Sequence, residues 1–400
     1  MGIYETNAKA QLFPRLGKPK LNFSKAWKRS NLDRDFMASD ILFLINGLGM
    51  GNSTRCHAVM QPLIEHGHRI HVLTSGNGLK YFEQQPGITS LTPMEAFFYS
   101  RRKGRISGWQ TVLAGRQLLQ LARSKRTQLE KVLAKIKPAV AVIDSEYAIG
   151  PLKSVGVPIV ALNNSEVVVS EYMRWRDNPR SVRSQFWLIE FPDYLFHRKM
   201  CDLVLSPSPH PGQPRHPKFR RVGLIVRRAV YEAAQAVPPS YPLPREIRNV
   251  VFMLSGSIFA SAVPLDSCEE PFHIDVVGRE GPSTSRVTYH GRLLNNLPIL
   301  LKADALVING GYSAVSEALA LNKPTFVLPV AGHAEQYVNA RLVAELGRGY
   351  RACEATVMDV LLGLYRTNAW SGLHEPQSLS GLNGAGGAAA EIEALLSARR

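Results

Sequence analysis

The sequence predicts an α/β protein made of two Rossmann-like domains, each a parallel sheet covered by helices. Three observations carry that prediction. Short apolar runs without polar alternation recur along the chain, as central strands buried on both faces require. Helix-length segments fill the intervals between them. A proline-rich break then divides the series into two similar halves. The composition agrees, because 400 residues with 45% hydrophobic, 20% charged and 8% aromatic side chains can fill two cores and exclude a wholly disordered chain.

Residues 1–39 read as a basic extension, with Lys18-Pro19-Lys20 and Lys28-Arg29 and no sustained period. They lack the apolar segment and small-residue cleavage site of a secretory leader. The first domain, 40–235, opens on the run 41–45 and continues with strands at 70–73, 139–143, 158–162 and 202–205. Five prolines between Pro207 and Pro217, counting both, exclude helix and central strand there, and a linker at 236–247 adds Pro238, Pro239, Pro242 and Pro244. The second domain, 248–365, has strands at 250–254, 272–276, 287–289, 305–308 and 325–328, with helices near 295–302, 313–321 and 335–346. The tail, 366–400, carries a glycine-rich patch at 381–387 and a helix at 388–398.

Forty-eight Lys and Arg against 32 Asp and Glu leave a formal charge of +16, so an anionic partner is expected. The excess is concentrated at 101–137, where eleven basic residues face a single acid, Glu130. A helix over 109–136, with Val112, Leu119 and Val132 inward, would turn these cations to solvent. The sharper reading makes Arg101, Arg102, Lys103, Arg105 and Trp109 a lip that settles on an anionic membrane surface. Nucleic acid is the weaker candidate, since no recognition motif accompanies the charge. The longest apolar runs are strand-sized, so no membrane-spanning helix is expected. Cys56, Cys201, Cys268 and Cys353 are widely spaced, which argues against zinc and disulfide frameworks and for a cytoplasmic location.

Two strand-to-helix junctions can bind a ligand. The first reads Asn46-Gly47-Leu48-Gly49-Met50-Gly51-Asn52-Ser53-Thr54-Arg55. Its glycines permit close backbone approach, and Ser53 or Thr54 suits an N-cap; a turn that merely needs positive φ is the plainer alternative. The second reads Asn309-Gly310-Gly311-Tyr312-Ser313, with Glu317 one turn on. With Ser313 as cap, the positive helix end would meet a diphosphate. Glu317 could then accept hydrogen bonds from ribose hydroxyls, or simply be a solvated first-turn acid. Farther on, His333, Glu335 and Gln336 start another helix, where Glu335 and Gln336 could present acceptors and a donor to a sugar or serve as ordinary helix-start residues. His66, His68 and His71 flank a turn and are expected to be solvated.

The pattern G-G-x-S-x-x-x-E-A, then K-P, then P-x-x-x-H-x-E-Q-x-x-N-A resembles the nucleotide-sugar half of the GT-B glycosyltransferases. Families 1 and 28 are the nearest branches, the second including the lipid-linked N-acetylglucosamine transferase of peptidoglycan synthesis. The stretch around Asn46 to Arg55 and Val142-Ile143-Asp144-Ser145-Glu146 resemble the same group, so the similarity spans about 40–350. The resemblance implies two parallel sheets facing a central cleft, the first domain holding the acceptor and the second the donor. It places Gly310, Gly311 and Ser313 at the diphosphate, Glu317 at the ribose, and Glu335 with Gln336 at the transferred sugar, with Asn309 and His333 also on the donor-binding side. Gly256 and Ser257 would form a second phosphate-side loop, and Gly49, Gly51, Ser53 and Arg55 an acceptor-side loop.

One position departs from the family. Relatives carry histidine in G-x-G-H-x-x-R where this chain has Asn52, and an amide cannot take a proton at neutral pH. Asp144 and Glu146 are the replacement bases the sequence offers, with loop capping or salt bridging the equally weighted alternative for each, and His57 lies more than a turn into its helix. The resulting expectation is transfer of a hexose or N-acetylhexosamine from a nucleoside diphosphate sugar, UDP first, to a hydroxyl of a lipid-linked or small-molecule acceptor. No metal or other cofactor is expected, because neither expected domain carries a D-x-D ligand motif and helix ends can stabilise the leaving diphosphate. The alternatives are a nucleotide-sugar hydrolase of the same fold and a non-catalytic nucleotide-sugar-binding subunit.

Overall fold

The computed structural model describes residues 38–95, 115–210, 212–214, 216–236, 246–254, 271–367, 370, 373 and 383–399. Gly256, Ser257, Arg101, Arg102, Lys103, Arg105 and Trp109 lie outside the described residues.

The first sheet contains β1 (Asp40–Ile45), β2 (Arg69–Thr74), β3 (Ile88–Pro93), β4 (Val140–Asp144), β5 (Ile159–Leu162), β6 (Leu203–Pro207) and β7 (Phe219–Val222). All pair in parallel in the order β3-β2-β1-β4-β5-β6-β7. The second sheet, β8 (Asn249–Met253), β9 (His273–Val277), β10 (Val287–Tyr289), β11 (Ala305–Asn309), β12 (Thr325–Leu328) and β13 (Gly349–Arg351), is also parallel, in the order β10-β9-β8-β11-β12-β13. Ile41 through Ile45 are at most 1% exposed, because the sheet is covered on both faces. The apolar sequence of β1 follows from that burial.

Three strands depart from the sequence expectation. β3 (ITSLTP), β7 (FRRV) and β13 (GYR) are edge strands, with a neighbour on one side only. An edge tolerates polar side chains and short length, so no apolar run marks it. In both sheets the chain reverses its direction of winding beside the first strand, with β1 between β2 and β4 and β8 between β9 and β11. Such switch points leave a crevice at the carboxyl ends of the strands, where open α/β sheets bind ligands.

The helices of the first half are α1 (Met50–Glu65), α2 (Gly76–Phe82), α3 (Gly115–Lys135), α4 (Gly150–Ser154), α5 (Ser165–Arg174), α6 (Arg180–Gln185) and α7 (Phe191–Met200), with a π-helical turn at Phe186–Glu190 joining the last two. Then follow α8 (Arg228–Ala236), α9 (Leu297–Lys302), α10 (Tyr312–Ala320), α11 (Ala334–Glu345), α12 (Val357–Thr367) and α13 (Gly384–Ser397). Three glycines of the expected patch do not precede the last helix: Gly384, Gly386 and Gly387 lie within it, and the Asn383 side chain caps it by accepting from the Gly386 amide at 2.9 Å.

Helix α13 returns to the first half and packs on α1 and β7. Ala388, Ala389 and Ile392 join Val59, Leu63 and Val222 in one core. The neighbouring histidines are correspondingly not solvated. His66 and His68 meet Glu393 of α13, and His71 bonds Asp40 at 2.9 Å and Ser90 at 2.7 Å.

The two sheets belong to one unit spanning Ala38–Arg400. A shared apolar cluster joins them, with Val168, Tyr172 and Phe186 from the first half against Ala334, Val338 and Leu342 of α11. The Arg341 guanidinium lies 4.4 Å from the Trp175 ring centroid and bonds Asp177 at 2.7 Å. Helix α11 is thereby held against α5 and α6.

Candidate active site

The carboxyl end of β1 runs into α1, and that of β11 into α10. The two junctions meet. Helix α1 packs against α10, and the Ser313 hydroxyl donates to the Gly51 carbonyl at 3.2 Å. Neither helix has the side-chain cap expected from sequence. Gly49 and Gly311 occupy the N-cap positions without side-chain bonds. Ser53 lies inside α1, fully buried, with no hydrogen-bond partner for its hydroxyl, so it does not face an acceptor. Thr54 bonds back to Gly51 at 3.1 Å.

The second junction is shaped by its glycines. A Cβ on Gly310 would stand 2.8 Å from the Gln336 backbone oxygen, so only glycine allows the loop to sit this close to α11. Asn339 secures the same loop by donating to the Gly310 carbonyl at 2.9 Å. Gly311 differs, because a Cβ there would meet nothing within 4 Å. Protein packing therefore does not demand glycine at 311, and the helix end beside it is open. Asn309 is buried and donates to Leu328 at 3.5 Å.

Glu317, on the inner face of α10, is paired with Arg227 by bonds of 2.6 and 2.8 Å, and Arg227 also donates to Asn296 at 2.6 Å. Burial opposes a charge on Arg227, yet Glu317 outweighs it and holds the guanidinium pKa above its ordinary value. Glu317 is not the solvated acid that its first-turn position allowed. Arg227, just after β7, gave no sequence signal. Gln336 is also engaged, accepting from the Val330 amide at 3.0 Å.

The expected acceptor-side bases are not open carboxylates. Asp144 is fully buried and held by Arg55 through bonds of 2.7 and 2.9 Å, with Cys56 Sγ donating at 3.4 Å and the Ser145 hydroxyl at 3.2 Å. Arg55 also donates to the Asn52 side-chain Oδ1 at 3.3 Å, and the Asn52 side-chain Nδ2 donates to the Asn46 backbone carbonyl at 3.3 Å. Burial works against the Arg55 charge, and Asp144 overcomes it to raise the pKa. Glu146 accepts from Lys125 at 2.7 Å and from the amides of Tyr147 and Ala148 at 3.1 and 3.3 Å. Lys125, on the basic helix α3, is only 3% exposed, so that face is not wholly turned to solvent. Both carboxylates brace the loop after β4. There Ser145 adopts φ 52°, a left-handed conformation that costs a non-glycine residue of order 1 kcal/mol. His57 bonds the Tyr81 hydroxyl at 2.9 Å, and burial lowers its pKa to about 4, so it stays neutral.

A different acid occupies the junction between the halves. Glu190 ends the π-helical turn and is 8% exposed. Glu190, His333 and Glu335 each bring a side-chain N or O atom to within 4.8 Å of the others. Gln185 donates to Glu190 at 2.6 Å through Nε2 and accepts from the Ala334 amide at 2.8 Å through Oε1. Asn164 donates to Glu335 at 3.1 Å. Burial first, then the charge of Glu335, push the Glu190 pKa up to about 8, while bonds from the Gln185 side chain and the Glu335 backbone oppose the rise. No motif pointed to Glu190. Its segment carries the apolar run Phe186-Trp187-Leu188-Ile189 but no glycine-marked strand-to-helix junction, and only the folding of α11 against it reveals the cluster.

Comparison with known proteins accords with this architecture. The model of glycosyl transferase family 1 matches residues 39–183 and 274–364. An uncharacterized glycosyltransferase of Methanosarcina acetivorans is 26% identical over 353 residues, covering 82% of this chain and 89% of the relative. Among solved structures, the calicheamicin glycosyltransferase CalG4 aligns with a TM-score of 0.57 at 19% identity, covering 90% of this chain and 98% of that one. MurG of Acinetobacter baumannii gives 0.52 at 14% identity, with 90% and 99% covered. The glycosyltransferase SsfS6 of Streptomyces sp. SF2575, complexed with thymidine diphosphate, gives 0.53 at 16% identity, covering 90% and 99%. These likenesses extend over both sheets, and with the family model matching more than half of its residues the chain belongs to glycosyl transferase family 1 and is a glycosyltransferase of GT-B type.

Proposed function

We propose that the protein transfers a hexose or N-acetylhexosamine from a nucleoside diphosphate sugar, UDP first among the donors, to a hydroxyl of a lipid-linked or otherwise membrane-associated acceptor. The observation that carries the donor assignment is the open amino end of α10 beside Gly311, at the junction of the two halves. Unpaired amides and the helix dipole there suit a diphosphate, whose negative charge grows as the glycosidic bond breaks. No metal is required in this reading. Glu317 remains able to take ribose hydroxyls while paired with Arg227, because an ionised carboxylate offers about four acceptor sites. The thymidine diphosphate bound to SsfS6 supports a nucleotide ligand for this fold.

A second feature favours an acceptor with an apolar tail. Trp187, Leu188 and Ile189, immediately before Glu190, are 45%, 76% and 52% exposed, and Arg180, Arg183, Arg198 and Lys199 nearby in sequence are also exposed. Aromatic and aliphatic side chains flanked in sequence by exposed cations suit a surface of anionic lipid, which supports the reading of an enzyme that works at the cytoplasmic face of a membrane. Among the described residues no helix is long and apolar enough to cross one.

Calorimetric titration with UDP, GDP and TDP tests the donor. Saturable binding of one of them, weakened by Glu317→Ala, is expected. Absence of binding to all three would remove the reading. Flotation with anionic vesicles at low salt tests the acceptor side, where wild type should float and Leu188→Asp/Ile189→Asp should not.

A further inference from the structure

We propose that Glu190 is the proton acceptor of the transfer reaction, replacing the histidine whose place is taken by Asn52. The inference rests on the donor reading above and adds the residue that activates the acceptor.

Elimination gives the first argument. Asn52 is an amide and cannot take the proton. Asp144 and Glu146 are consumed by buried cations, Arg55 and Lys125. His57 is 7% exposed and turned to Tyr81. Position gives the second. Glu190 comes from the first half, whereas His333 and Glu335 come from the helix that begins beside the diphosphate loop. Asn339 on that helix holds the Gly310 carbonyl. A carboxylate at this junction stands between the half that would hold the acceptor and the half that would hold the donor.

The charges around Glu190 are suited to base chemistry. Glu335 and His333 face it from α11, Asp193 from α7, and Tyr147 from the loop after β4, where its hydroxyl donates to Asp193 at 2.8 Å. On α5, Glu166 and Glu171 are taken by Arg221 and Arg174. On α6, Arg180 and Arg183 are exposed. Acidic neighbours and burial raise the affinity of Glu190 for a proton, while the Gln185 amide and the Glu335 backbone N–H keep its ionised form within reach. A carboxylate that titrates near neutral pH is a stronger base than an ordinary glutamate.

The step balances without a further reactant. The acceptor hydroxyl oxygen forms a bond to the anomeric carbon, the bond from that carbon to the diphosphate oxygen breaks, and the hydroxyl proton passes to a Glu190 carboxylate oxygen. The electron pair of the broken bond leaves on the nucleoside diphosphate.

The test uses the full chain with UDP-glucose, UDP-N-acetylglucosamine and TDP-glucose as donors. The acceptor probes are 2-naphthol, 2-naphthalenethiol and water, the last read as sugar release from donor alone. Wild-type turnover should rise with pH through about 8. Glu190→Gln, which keeps an acceptor for the Gln185 bond, should lower kcat for naphthol or water by about 10²–10⁴-fold. It should leave nucleotide affinity and donor KM within about twofold and flatten the pH profile, because it removes a proton-transfer step and not a binding contact. Transfer to the thiol, which ionises without help, should survive in the variant, and Glu190→Asp should restore a pH-dependent rate. Equal loss for thiol and naphthol, an unchanged rate in Glu190→Gln, or no turnover by a wild type that binds nucleotide would each overturn the assignment. Loss of turnover in chelator restored by Mn²⁺ would overturn it as well, since the three side chains would then hold a cation in place of a proton. Failure of the wild type to bind any nucleotide would instead strike the donor reading.

Discussion

Replacing Asp144 separates a bracing carboxylate from a catalytic one. In the structure its two oxygens receive the Arg55 guanidinium at 2.7 and 2.9 Å, with exposures of 0% for the acid and 7% for the base. Asp144→Ala leaves that guanidinium buried without its counter-charge, and breaking one side of a buried ion pair costs about 3–5 kcal/mol. The thiol of Cys56 and the hydroxyl of Ser145 lose an acceptor too. Replacing both partners by apolar groups, as in Arg55→Met/Asp144→Leu, removes the stranded charge, so the double variant should lose less than the sum of the two single changes. Urea unfolding followed by tryptophan fluorescence reads the stability, and UDP titration under native conditions reads the site. The single variants should shift the unfolding midpoint strongly. Where folded, they should bind nucleotide close to normally, because the donor side is built on the other sheet. An Asp144→Ala protein as stable as wild type, with turnover reduced at least a hundredfold, would refute this reasoning and return Asp144 to the role of base.

Three further outcomes are expected. Between pH 4.5 and about 8, folded Glu190 holds a proton that the unfolded chain has released, so its contribution to stability falls as pH rises through the window. Glu190→Gln should abolish that slope in thermal melts taken at pH 5, 6.5 and 8. For Glu393, burial alone would raise the pKa, but the bonds from His68 and His66 prevail and lower it, so its stabilising contribution is present above the ordinary carboxylate range and lost in acid. Limited proteolysis should accordingly release α13 at acid pH in wild type and at neutral pH in Glu393→Ala. Finally, Gly310→Ala should lower both stability and UDP affinity, its Cβ having nowhere to go, whereas Gly311→Ala should melt like wild type and lose affinity about tenfold or more. Equal melting and equal affinity for the two would remove the assignment of the open space to a ligand.

Fold and site were legible in the sequence to different depths. Central strands announced themselves because burial on both faces leaves no polar position, as in Ile41 to Ile45, whereas the edge strands β3, β7 and β13 had no such constraint and passed unmarked. The glycine junctions were visible as punctuation. Their caps were not, because Ser53 and Ser313 serve interior packing and the contact with Gly51 instead. Residue type alone left Asp144 and Glu146 open between base and salt-bridged brace. Whether an acid after a strand is open or paired depends on Arg55 and Lys125, which are 89 and 21 positions away. Glu190 shows the converse. Its chemistry arises from Glu335 and His333, brought to it from more than a hundred residues along the chain by the packing of α11 on α5 and α6.

The return of α13 to the first half bears on how the protein is made. Ala388, Ala389, Ile392 and Leu396 complete a core whose other buried members lie between Ile41 and Ile225, and the Gly384 amide bonds Leu224 at 3.0 Å. During vectorial synthesis the earlier lobe must therefore wait, its hydrophobic surface incomplete, until residue 397 has cleared the ribosomal tunnel. Domains ordinarily fold in turn as they emerge. Here the first to be translated is the last to close, and a stalled or truncated product would present an uncovered greasy flank to the cell's quality-control machinery.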